Sequence, residues 1–146
     1  MITESGNLSG TGSTGLLRAA LLGNAIFSAI CGVVMVWMPH RVSAVLNWQG
    51  PNLWLFVGLG LLVFAGALLW QGKQGWPSVA WGTLFSLGDY GWVIGTVLLG
   101  MFAPTVMSGD GWMIAWGISA VVALFGSLQL LGIARMMRKA LDAIEE

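Results

Sequence analysis

The sequence predicts an all-α, polytopic membrane protein: a bundle of four transmembrane helices with both termini cytoplasmic. Three observations predict it. Of the 146 residues, 57% are hydrophobic and only 8% charged, a balance outside the soluble globular range. Four apolar stretches reach the roughly 20 residues that a helix needs to cross about 30 Å of hydrocarbon. The basic residues fall unevenly on the segments that join those stretches. The length suits one domain.

The first segment, "MITESGNLSGTGSTG" (1–15), is rich in Gly, Ser and Thr and carries one charge, Glu4. Such a segment buries too little to order itself, so it is expected to be a disordered cytoplasmic tail. It is no secretory leader, because it lacks a basic start and the apolar run after it is too long for one. The four-helix transmembrane domain covers 16–134. Its first span is 16–38. After it, "PHRVSAVLNWQGP" (39–51) places Val42, Val45, Leu46 and Trp48 so that a short helix can lie in the interface, ended by Gly50-Pro51. The second span is 53–71, the third 78–102 and the fourth 112–134. The last stretch, 135–146, sets Met137, Leu141 and Ile144 at helical spacing and extends the fourth helix as a cytoplasmic helical tail.

Orientation follows from charge. Arg18, Lys73, Arg135, Arg138 and Lys139 lie on one side of the four spans and Arg41 alone on the other. Positive residues stay inside, which puts both termini in the cytoplasm. Trp37, Trp48, Trp54, Trp70, Trp76 and Trp112 sit near span ends, where interfacial aromatic belts form.

Several function classes are disfavoured. Zero net charge leaves no basic face for nucleic acid. Cys31 is the only cysteine, so no internal disulfide and no cysteine-built zinc site can form. His40 is the only histidine. No base–nucleophile pair and no facing His pair for a haem can be drawn, so neither an enzyme nor a metal or cofactor is expected. His40 reads as a solvated side chain at the interface, and Cys31 as a small packing residue.

The exception to this apolar chain is Asp89, in "FSLGDYGWVIG" (85–95) of the third span. An acid near a helix centre costs about 2.5–3.5 kcal/mol on the insertion scale, so it needs a partner or must give up its charge. At 100° per residue, Gly82, Ser86, Asp89, Val93 and Thr96 share one sector of the helix. Gly88, Gly91 and Gly95 fill a second sector, with Gly91–Gly95 a GxxxG pair suited to a closely approaching helix, a second copy or another membrane protein. Thr83, Leu87, Tyr90, Ile94, Val97 and Leu98 are left for lipid. Asp89 is therefore expected to face protein. Its candidate partners are Asn24, on a first-helix face with Ala20, Phe27, Ser28, Cys31 and Met35, and Gln129 on the fourth helix. Arg18 reaches inward only if the first helix starts several residues earlier. The preferred arrangement is an intramembrane cluster of Asp89, Asn24, Ser86 and Gln129 with the carboxyl uncharged; with Arg18 present, the pair would be ionised instead.

"LGNAIFSAICGVV" (22–34) and "LGDYGWVIGTVLL" (87–99) echo each other, as do "GAL" (66–68) and "GSL" (126–128) at nearly the same offset. Duplication of a two-helix hairpin would produce this and would make Asn24 and Asp89 equivalent positions facing the centre. Chance similarity between apolar segments is the alternative.

"LLRAALLGNAIFSAICGVV", "LWLFVGLGLLVFAGALLW" and "GDYGWVIGTVLL" together resemble a group of small four-helix bacterial integral membrane proteins with a DoxX-like layout. Their third helix carries Asp-x-x-Trp-Val, here Asp89, Trp92 and Val93. The resemblance runs from Leu16 to about Arg135 and implies fold and membrane location, but no activity. DoxX-type proteins are associated with quinone-linked redox complexes; no residue here transfers that role. Small multidrug exporters are similar in size and helix number, but they carry a first-helix glutamate where this chain has Asn24.

Two functions fit these residues. The first, slightly preferred, is a structural or accessory subunit in which Asp89 anchors helix register. The second is a small transporter or a lipid-, quinone- or hydrophobic-ligand-binding protein that uses Asp89 directly.

Overall fold

The structure, a computed structural model, describes residues 9–48 and 50–145. Five α-helices form in chain order among them: α1 (Ser9–Trp37), α2 (Pro39–Leu46), α3 (Pro51–Lys73), α4 (Val79–Phe102) and α5 (Gly109–Glu145). A 3-10 turn at Pro104–Val106 joins the last two. All but α2 are long and apolar enough to cross a membrane. The fold is all-α, with four long apolar helices arranged as a transmembrane bundle.

Local chemistry sets the ends. Pro39 and Pro51 open α2 and α3, at a position where a missing N–H breaks no helical bond. The sequence places the end of α2 at Gly50-Pro51. The chain instead stops it at Asn47, whose φ of 55° is left-handed, a conformation that asparagine tolerates. Between α3 and α4 the buried Gln71 side chain folds back, and its Oε1 accepts the Ser78 N–H at 3.2 Å.

One boundary differs from the sequence reading. Residues 1–8 of the expected tail lie outside the described residues, but 9–15 are helical and continue α1. Thr14 and Leu17 are buried, so tertiary packing holds a segment whose composition alone would not fold. α5 is one helix of 37 residues. At 1.5 Å per residue that is about 55 Å, longer than the roughly 30 Å of hydrocarbon that a span must cross.

α1 is the centre of the bundle, packed along α3 on one side and α5 on the other, while α5 also packs along α4. α3 and α4 scarcely touch. The order around the bundle is therefore α3, α1, α5, α4, with an open seam between first and last. At the end carrying the termini, aromatic pairs bridge that seam: Phe64–Phe85 and Trp70–Trp81, edge to face at 5.6 and 6.3 Å.

Lipid tails are as apolar as leucine, so hydrophobic burial does little to hold these helices together; close packing and hydrogen bonds must. The packing is closest at glycines that the sequence reading did not single out. A Cβ added at Gly32 of α1 would stand 2.9 Å from the Gly58 carbonyl oxygen of α3. One added at Gly132 of α5 would stand 2.9 Å from Leu17 Cα of α1. The α4 glycines behave otherwise. A Cβ at Gly91 or Gly95 meets nothing within 4 Å, and one at Gly88 meets only the Phe64 ring, at 3.5 Å. No helix of this chain uses them as a seam.

Trp54 departs from the aromatic-belt expectation. It is 6% exposed, buried with Met35 and Leu46 and edge-on to Trp48, because α2 folds over the start of α3. Trp37 and Trp76 stay exposed.

Candidate intramembrane polar site

Asp89 sits in mid-α4 on the face turned toward α1 and α5, and is 3% exposed. Asn24 of α1 and Gln129 of α5, both with no exposed surface, flank it. Asn24 Nδ2 donates to Asp89 Oδ2 at 2.8 Å, and Gln129 Nε2 donates to the same oxygen at 3.1 Å. Gly126 eases the second bond: a Cβ there would lie a tight 3.3 Å from Asp89 Cβ, so glycine lets α5 come this near one turn before Gln129 without a shift.

Each amide is itself oriented. Ser28 Oγ donates to Asn24 Oδ1 at 3.2 Å, which turns the Asn24 N–H groups toward Asp89. Ser86 Oγ lies 3.0 Å from Gly82 O, 3.3 Å from Gly126 O and 3.4 Å from Gln129 Oε1. It has one proton for three acceptors, and its bond to Gln129 is the longest. The network thus runs from Ser28 through Asn24 to Asp89 on one side and from Gln129 to Asp89 on the other, with the Ser86 hydroxyl beside Gln129. Both amides are spent on Oδ2 and neither on Oδ1.

The structure brings Asn24, Ser86 and Gln129 around Asp89 and leaves Arg18 out. α1 does start early enough for Arg18 to turn inward. Its Nε donates instead to Gly72 O at 3.1 Å, at the end of α3, where carbonyls lack helical partners and a cation is favoured. Tyr90, on the arc expected to face lipid, has its hydroxyl 2.7 Å from Ser127 Oγ of α5, in an exposed contact. Ser127 gives its own proton to Ala123 O, so Tyr90 is the donor to Ser127.

Asp89 also lines a cavity of about 170 Å³ whose walls include Phe27, Phe64 and Trp92. Cys31 lines it too and, among the described residues, is its only other titratable group; no described Lys, Arg or His lines it. A second cavity of about 320 Å³ continues toward α2 and shares Met35, Trp92 and Ile118 with the first. Leu53, Trp54 and Val57 of α3 form one wall, Gly91, Gly95 and Thr96 of α4 the other. The glycine stripe is the floor of the open α3–α4 seam. Among the described residues, no three His, Cys, Asp or Glu side chains gather as a metal site.

The α3 walls and the cavities were beyond sequence reasoning. Ser28 was within reach, since it lies one turn beyond Asn24 on the same face. Comparison of the chain with family models, with curated proteins and with solved structures finds no match in any of the three.

Proposed function

We propose that this protein binds a hydrophobic ligand inside the bilayer, to hold it or to carry it across, with Asp89 as the polar contact. One observation carries the proposal: a buried carboxylate, held by amides from two other helices, forms part of the wall of an otherwise apolar cavity. An acid needed only to lock helices together has no reason to border a cavity, and intramembrane acids mark ligand and ion paths by default. The second cavity lies at the lower end of the roughly 300–1,000 Å³ typical of small-molecule sites.

The same reading places the chain, as a DoxX-like non-enzymatic protein, in a bacterial inner membrane with both termini cytoplasmic. It leaves the exposed α4 glycines to a ligand ahead of a second copy or a membrane partner. The accessory-subunit reading keeps one supporting observation, the joining of α1, α4 and α5 through Asp89. The two separate on Asp89→Asn, which retains hydrogen-bonding capacity. The variant should fold in detergent and lose the stabilisation that hydrophobic compounds confer on the wild type. Equal ligand-induced shifts in melting temperature for both proteins would refute a direct role for Asp89.

A further inference from the structure

Duplicated hairpins would make α1 equivalent to α4 and α3 equivalent to α5, so the α3–α4 seam should close as tightly as α1–α5. It does not. α1 and α5 meet at backbone distance around Leu17 and Gly132, whereas α3 and α4 meet through aromatic tips at the termini end and part toward α2. The parted half is lined by Gly91 and Gly95, where an added Cβ would meet nothing within 4 Å. One group with unmet bonding stands at its inner end: Asp89, 3% exposed, keeps Oδ1 free of both amides.

Charge decides what fits. Two buried amides, Asn24 and Gln129, donate to the carboxylate, an arrangement suited to its anionic form, yet among the described residues none lining the cavity supplies a positive charge. The Phe27, Phe64 and Trp92 rings stand around the same space, and ring faces attract cations most strongly where water is absent. We propose that the α3–α4 groove takes a single-tailed amphiphile with a primary ammonium head, entering sideways from the lipid. The ammonium bonds Asp89 Oδ1 amid the aromatic rings, and the tail lies over Gly91 and Gly95 beneath α2. The ammonium neutralises an ionised carboxylate outright; from a protonated carboxyl it displaces one proton to solvent, one positive charge for another. A two-chained aminophospholipid fits less well, because its phosphate would be brought close to the same carboxylate.

This assignment rests on the hydrophobic-ligand reading above and sharpens it to one head group. The test titrates the full chain, in phosphatidylcholine nanodiscs at neutral pH, with dodecylamine and with dodecanol, read by native mass spectrometry and thermal shift. The wild type should bind the amine about tenfold more tightly than the alcohol. Asp89→Asn should bring the two to near equality. Gly95→Leu, which has room to fold, should block both by filling the groove, and it keeps the site testable if the Asp89 variant does not fold. Equal wild-type binding of amine and alcohol would overturn the ammonium assignment and leave the hydrophobic-ligand reading standing. Binding of neither would overturn both. Retention of phosphatidylethanolamine alone, in discs that contain it, would overturn the single-tailed occupant.

Discussion

Gly132→Ala and Gly91→Ala add the same methyl group to neighbouring helices, and the structure assigns them opposite outcomes. At Gly132 the new carbon would stand 2.9 Å from the N, Cα and Cβ atoms of Leu17. Carbon atoms settle at about 3.5–4.0 Å, so α1 and α5 would have to part by roughly half an ångström to one ångström. Two of the three opposing atoms are backbone, so no rotamer change relieves the clash. Overpacking of this kind costs about 1–3 kcal/mol. The loss should spread to the polar site, because Gln129 lies on α5 one turn before Gly132 and reaches Asp89 at 3.1 Å. At Gly91 the methyl meets nothing within 4 Å. Replacing a helical glycine by alanine then changes stability by at most about 1 kcal/mol, in the favourable direction. Reversible unfolding in mixed micelles, titrated with a denaturing detergent and followed by circular dichroism, measures both. The Gly132 variant should unfold at clearly lower denaturant, and the Gly91 variant at or above the wild-type midpoint. If Gly91→Ala lost as much stability as Gly132→Ala, the α4 stripe would be a packing seam and the open groove would be wrong.

Further outcomes follow from the same geometry. A double-mutant cycle on Asn24→Ala and Asp89→Ala should return a coupling of about 0.6–2 kcal/mol, the range for polar pairs between membrane helices; a coupling indistinguishable from zero would mean that the 2.8 Å bond does not hold in the bilayer. Asp89→Leu should lower the melting temperature in detergent, because it leaves the Asn24 and Gln129 amides buried without an acceptor, at about 1–3 kcal/mol for an unmet group; an unchanged melting temperature would remove Asp89's anchoring role. Arg18→Ala should cost about 0.5–1.5 kcal/mol through the Gly72 carbonyl and leave ligand binding at Asp89 intact; a change in binding would show that Arg18 reaches the site after all.

The sequence by itself determined the architecture, because crossing hydrocarbon imposes a length and a composition that a single chain displays directly. The same rule exposed Asp89, since an acid in an apolar run stands out, and helical angles alone turned it toward Asn24 and Gln129. Only the tertiary structure decided what lies between helices. Whether a glycine is a contact or a vacancy depends on the helix opposite, and local pattern says nothing of that. The GxxxG of α4, legible as a seam, is the floor of a groove, while the true close approaches fall at Gly32–Gly58 and at Gly132. Arg18, whose destination the sequence left open, bonds the Gly72 carbonyl near the end of α3 instead of Asp89. Trp54, near a span end in the sequence, is buried because α2 folds back over it, a fact set by a loop's path and not by hydropathy.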